Sequence, residues 1–236
     1  MKKNVLGVTI DDINMDQALD IVHGWLKVGG KHYIVTPNPE ILVAAQRDKE
    51  FKDILNNADL SIPDGVGLKL SGDIVCILPG IDFMEELIKE ASDQGFTVGL
   101  LGGRDQVAKK AAECLRKKYP KIKITFAASG GDVDKNGKLL KLPKLPKMDI
   151  LFVGFGPPKQ EKWIANNFKK IPVKVAMAVG GSLDYVSGRV PRVPKFLRAI
   201  GLEWLFRLIV QPWRIKRQLF LFKYLWLLAR SGRRRS

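Results

Sequence analysis

The chain has 236 residues, 46% of them hydrophobic and 27% charged, a balance that supports one substantial core and excludes an intrinsically disordered chain. Its formal charge of +16, from 40 basic and 24 acidic residues, points to an anionic partner: nucleic acid, a phosphorylated ligand or an acidic membrane surface. Only two cysteines, Cys76 and Cys114, are present, without paired or metal-like spacing, which favours a reducing compartment over secretion.

The first residues, "MKKNVLGVTIDDINMDQ", turn acidic before a long apolar region forms, so no secretory signal is expected. "NVLGVTI" is predicted as a strand. "NMDQALDIVHGWLKVG" follows as a helix with Ala18, Leu19, Val22, Trp25 and Leu26 at helical spacing, and Asn14 and Gln17 spaced as a capping box. "HYIV" is the next strand, stopping at Thr36. Asn38 is placed to cap the helix "NPEILVAAQRDKEFKDIL", with Pro39 at its first position. Then come strand "DLSI", helix "DFMEELIKEASDQG", strand "TVGLLG", helix "RDQVAKKAAECLRKKYP", strands "KIKITFA" and "MDILFVGFG", helix "KQEKWIANNFKK" and strand "VKVAMAVGG".

That rhythm predicts a Rossmann-like α/β fold over residues 1–194, a mostly parallel sheet covered by helices. Such sheets bind ligands at the carboxyl ends of their strands. Thr36, Asn38 and Asp64 are expected on that rim, with "LLGGRDQ", "FVGFGPPKQE" and "AVGGSLDYVSG". Glycines let the backbone approach a ligand, and helix amino ends suit phosphate, so a phosphorylated ligand is expected there. No dinucleotide fingerprint is present, which argues against a Rossmann-type oxidoreductase or methyltransferase.

From Lys195 onward there are eleven Lys or Arg against one acid, Glu203, so about +10 of the +16 sits in residues 195–236. The run "LFLFKYLWLLA" has 11 residues, against about 20 needed to span a bilayer. Lys216, Lys223 and Arg230 recur every seven residues and would form a basic stripe, with Phe220, Trp226 and Leu227 elsewhere around the helix. The pattern predicts a basic amphipathic appendage on an anionic membrane surface. A terminal helix packed on the core is the alternative. A nucleic-acid-binding protein is a further rival, suggested by the charge and the basic-aromatic interleaving.

Asp64, at a strand's carboxyl end beside glycine-rich turns, is a candidate general base for an alcohol nucleophile. His23 and His32 are weaker candidates, and no Ser-His-Asp order is visible. "DVDKNG", residues 132–137, opens like a calcium loop, but the twelfth position is Pro143 rather than Glu, so it reads as a surface turn.

"TPNPEIL", "ADLSIPDGVGL", "PGIDFM", "FVGFGPPKQEKWI", "VGGSLDYVSGRVPR" and "GLEWLFRLIVQPWRIKR", in this order over nearly the whole chain, resemble the WecG/TagA/CpsF family of glycosyltransferases, in particular its TagA-like branch in wall teichoic acid synthesis. The resemblance implies transfer of N-acetylmannosamine from a UDP donor to N-acetylglucosamine on undecaprenyl diphosphate, with inversion to a β-1,4 link. It places a peripheral, metal-independent and cofactor-free enzyme at the cytoplasmic membrane face, able to self-associate and not directed at nucleic acid. It implies Asp64 as base, Thr36, Asn38 and Gln160 as substrate-binding residues, and Arg207, Arg214 and Arg217 reaching from the tail to diphosphate. Members commonly carry an Arg shortly before the Gly-x-Asp motif, where this chain has Leu78 and Pro79.

Overall fold

A computed structural model describes residues 1–131, 134, 136–138, 144–193, 208 and 215–232. Its centre is a six-stranded, all-parallel sheet in the order β4-β3-β8-β7-β5-β6. The strands are β3 (His32–Val35), β4 (Leu60–Ser61), β5 (Thr97–Gly102), β6 (Lys123–Ala128), β7 (Met148–Gly154) and β8 (Val173–Ala178). The inner strands are nearly continuous apolar runs because both faces are covered. Alternation sorts their side chains: Ile34, Leu100, Phe152 and Met177 face one core, and Leu101, Val153 and Ala178 the other.

The first core is closed by α1 (Met15–Val28), α4 (Gly80–Gln94) and α5 (Val107–Lys118). Asn14 and Gln17 form the expected capping box at α1. The opposite face is covered by α2 (Pro39–Ala45), α3 (Lys49–Asn56) and α6 (Lys159–Asn167). A short helix α7 (Ser182–Val186) follows β8, and α8 (Ile215–Gly232) is the last described element.

Two predicted elements are corrected, and one element is unforeseen. "NVLGVTI" is not one strand but an antiparallel hairpin, β1 (Lys2–Val5) and β2 (Val8–Asp11). Leu6 and Gly7 both take positive φ, 54° and 78°, as a two-residue hairpin turn requires, and Asn4 Oδ1 accepts from Gly7 N at 3.0 Å. The helix predicted from Asn38 to Leu55 is two, because Asp48 leaves helical geometry and caps α3 through Phe51 N at 2.9 Å. After Asp64 the chain forms a 3₁₀ turn, Val66–Ser71, which the strand-helix rhythm does not predict.

Candidate active site

Parallel pairing of Ile34 with Leu60 and Val35 with Ser61 brings the ends of β3 and β4 side by side. Thr36 is buried just past β3, and its Oγ1 donates to Ala178 O at 3.5 Å. Gly80, the first residue of α4, sits directly on it: an added Cβ would lie 3.1 Å from Thr36 Cγ2. Asn38 caps α2, its Oδ1 accepting from Ile41 N at 3.0 Å. Asp64 N donates to Pro37 O at 2.9 Å, and Asp64 Oδ1 accepts from Gly80 N at 3.3 Å. The carboxylate thus meets the amino end of α4, where the helix dipole favours negative charge.

The neighbouring strands end in glycine turns for a steric reason. A Cβ on Gly102 would lie 2.5 Å from Gly154 O, and one on Gly154 would lie 2.9 Å from Gly180 O, so the ends of β5, β7 and β8 meet backbone on backbone. Gln160 fastens two of these turns. Only 1% exposed, its Oε1 accepts from Gly156 N at 3.1 Å and Gly180 N at 2.9 Å. Its Nε2 donates to Glu161 Oε1 at 2.8 Å. Thr36, Asn38, Asp64 and Gln160 therefore share the rim, with Gln160 acting through the backbone turns it holds.

Glu161 is the residue that sequence reasoning missed. It is 0% exposed, and burial pushes its carboxyl up to about 7, against hydrogen bonds from Gln160 and its own backbone amide that pull it down. Its neighbour Lys162, also buried, turns away to Asp48 and Glu50, 2.8 Å from each. All five residues Gln160–Ile164 are buried, although "QEKW" reads as a solvated first helical turn; no local signal marks the acid. Since burial raises its pKa above the ordinary 4.5, the neutral group's contribution to stability is complete below about pH 4.5 and is lost as pH rises through about 7. We therefore expect the melting temperature of the wild type, relative to Glu161→Gln, to fall between about pH 4.5 and pH 7 and to level off above. A pH-independent difference would mean that the carboxyl ionises in the fold as it does in water.

Leu78, which precedes Pro79 and the Gly-x-Asp motif, is buried in the first core, with its amide donating to Pro63 O at 2.8 Å. Asp134 Oδ1 accepts from Asn136 N and Lys138 N at 2.8 Å each, the bonds of the expected turn; Asp132, Val133 and Lys135 lie outside the described residues. A cavity of about 220 Å³ between α4, α5 and α7 lies on the flank of the sheet; Glu85 in its lining pairs with Lys118 and Arg192.

Arg207 and Arg214 lie outside the described residues, and of Arg217 only the backbone is described. The described part of the tail, α8, has two apolar faces. Tyr224 is fully buried, and Phe220, Leu221, Leu227 and Leu228 pack with it on the core formed by the hairpin, α2, α3 and the 3₁₀ turn. Leu221 Cδ1 is 3.5 Å from where a Cβ on Gly67 would stand, and Pro39 Cγ 2.8 Å from the same point. The helix thus bears on the segments that directly follow Asn38 and Asp64. On its other face Phe222 is 70% and Trp226 56% exposed, with Leu225 also exposed, and the Arg230 guanidinium lies 5.4 Å over the Trp226 ring. Val66 and Leu70 of the 3₁₀ turn are exposed as well. Of the expected basic stripe, Lys223 is half-buried, Arg230 is exposed, and the Lys216 side chain is outside the described residues. Among the described residues no helix is long and apolar enough to cross a membrane.

An open parallel sheet with an acid at a helix amino end and glycine turns along the same rim is an α/β domain with a candidate site at the carboxyl ends of its strands. The model of the glycosyl transferase WecG/TagA/CpsF family matches residues 3–236. The chain belongs to this family and is a glycosyltransferase. It is 32% identical over 241 residues to the N-acetylglucosaminyldiphosphoundecaprenol N-acetyl-beta-D-mannosaminyltransferases of Staphylococcus aureus strains MRSA252 and NCTC 8325 / PS 47, covering 99% of this chain and 94% of each relative.

Proposed function

We propose that the protein transfers N-acetylmannosamine from UDP-N-acetylmannosamine to the 4-hydroxyl of N-acetylglucosamine on undecaprenyl diphosphate, with inversion to a β-1,4 link, in wall teichoic acid linkage-unit synthesis. The observation that carries this reading is the placement of Asp64, on the family's shared motif, at the α4 amino end and beside Thr36. In a single displacement the acceptor O4 attacks the anomeric carbon as its proton passes to the Asp64 carboxylate, and the bond from that carbon to the UDP oxygen breaks. The leaving diphosphate gathers negative charge, which arginines stabilise well because they hold phosphate oxygens in pairs. Arg207, Arg214 and Arg217 are assigned that work, so neither a metal nor a cofactor is required. Residues 1–194 serve as the catalytic body and 195–236 as an appendage that both completes the site and meets the membrane.

The outward face of α8 supports peripheral attachment to an anionic bilayer at the cytoplasmic side. Phe222, Leu225 and Trp226 present apolar surface beside Arg230, a combination suited to a lipid interface more than to nucleic acid, whose phosphates offer no apolar phase. Through Leu221 on its inward face, α8 packs on the 3₁₀ turn that follows Asp64, so a lipid-borne acceptor held at the outward face would approach from the side of the base.

The test is an assay of purified protein with UDP-N-acetylmannosamine and a short-chain lipid-linked N-acetylglucosamine, using UDP-N-acetylglucosamine as control donor. Disaccharide-lipid formed only with the first donor, and at an unchanged rate in excess chelator, is the expected result. Preference for the control donor would replace the sugar assignment, and arrest by chelator that added divalent metal reverses would overturn the metal-independent mechanism.

A further inference from the structure

We infer that Glu161 is a positioning residue for glycosyl transfer: it sets the orientation of the Gln160 amide and thereby holds the turns after β7 and β8 at the rim. Gly156 N and Gly180 N both donate to one atom, Gln160 Oε1, at 3.1 and 2.9 Å. Only the oxygen end of the amide can accept from two backbone N–H groups. A flipped amide would set its NH₂ against both donors and break both bonds.

The other end of the amide decides between these orientations. Gln160 Nε2 lies 2.8 Å from Glu161 Oε1, with Gln160 1% and Glu161 0% exposed, so bulk water does not substitute for the acid. Lys162, the nearest cation in sequence, is committed to Asp48 and Glu50 on α3. Among the described residues Glu161 has no ion-pair partner and its Oε2 no hydrogen-bond partner. A buried acid outside any ion pair is a poor contributor to stability, and an apolar side chain would fill the space at lower cost. Among the described residues its side-chain partner is the residue that clamps the rim. Burial, which pushes the carboxyl up to about 7, keeps the group neutral enough to be tolerated there.

The inference rests on the proposed reading that glycosyl transfer takes place at this rim, and its test has one readout that needs no substrate. Hydrogen exchange at the Gly156 and Gly180 turns, and kcat and KM for the donor, are measured on full-length variants with their melting curves. Glu161→Leu, which removes the acceptor, is expected to speed exchange at both turns and lower kcat/KM about 10- to 100-fold. Glu161→Gln retains an acceptor oxygen at the same reach and is expected to keep both properties. In a Gln160→Ala background, Glu161→Leu should add less than about twofold, because the two residues act as one unit. Slow exchange in a folded Glu161→Leu, damage by Glu161→Gln equal to that by Leu, or an undiminished Leu effect in the Gln160→Ala background would each overturn the inference. Should Glu161→Leu not fold, Glu161→Asp decides: it keeps the acid but falls one methylene short of Gln160, so wild-type exchange and kcat/KM in that variant would overturn it. If the wild type turns over no donor at all, the proposed function fails while the exchange measurements still decide the role of Glu161.

Discussion

Asp64→Asn is expected to lower kcat about 10²- to 10⁴-fold, the usual loss when a general base is removed, with UDP affinity and melting temperature close to wild type. Asn has the same shape, and its Oδ1 can still accept from Gly80 N, so the α4 amino end keeps the hydrogen bond now made by Asp64 Oδ1 at 3.3 Å. The backbone bond from residue 64 to Pro37 O is untouched by the substitution. What the amide cannot do is take the acceptor's proton, so the loss should fall on kcat rather than on donor KM. Wild-type turnover in Asp64→Asn would remove this residue from the role of base. A large fall in melting temperature would instead identify it as a structural cap of α4.

Removal of residues 195–236 is expected to release the protein from anionic vesicles and also to cost about 10²-fold or more in turnover of a soluble short-chain acceptor, the scale of one lost transition-state charge contact. The first loss follows because each Lys or Arg near an anionic bilayer contributes about 1 kcal/mol, to which buried apolar area adds. The second has two sources: the arginines assigned to the diphosphate go, and so does the inward face of α8. Tyr224 and its neighbours pack with Leu42 and Leu68, on the elements that follow Asn38 and Asp64, and without them α2 and the 3₁₀ turn lose their cover. Point variants separate the two effects. Phe222→Ser with Trp226→Ser, or Lys223, Arg230 and Arg233 to Arg235 neutralised, should weaken vesicle binding while sparing the soluble reaction, with salt dependence in the charge set. Arg214→Gln or Arg217→Gln should slow the soluble reaction and leave vesicle binding nearly intact. Full soluble activity in the truncated protein would make the tail an anchor alone.

Much of the site is legible one residue at a time because its signals are local. Asn38 before Pro39 announces a helix start, and the cap bond to Ile41 N follows from that spacing alone. Asp64 after a short apolar run is marked as a strand-end carboxylate. Gln160 belongs to a family motif, but its partners Gly156 and Gly180 lie four and twenty positions away, and the farther one comes near only because β7 and β8 are adjacent in the sheet. Glu161 gives no sign at all. An acid in the first turn of a helix is ordinary at the surface, and only the packing of α6 against α3 and the sheet turns that surface into an interior.

The sequence by itself determined the α/β class, the order of strands and helices, the helix caps at Asn14 and Asn38, and the family. These depend on spacing within a few residues and on apolar periodicity, which the chain carries wherever it is placed. Tertiary structure alone decided which two strand ends share a clamp, that Leu78 is buried in the first core, and that α8 buries Tyr224 while exposing Phe222 and Trp226. Each of these is set by what lies across a sheet or between two helices, and such neighbours are distant in sequence and close only after the chain has folded.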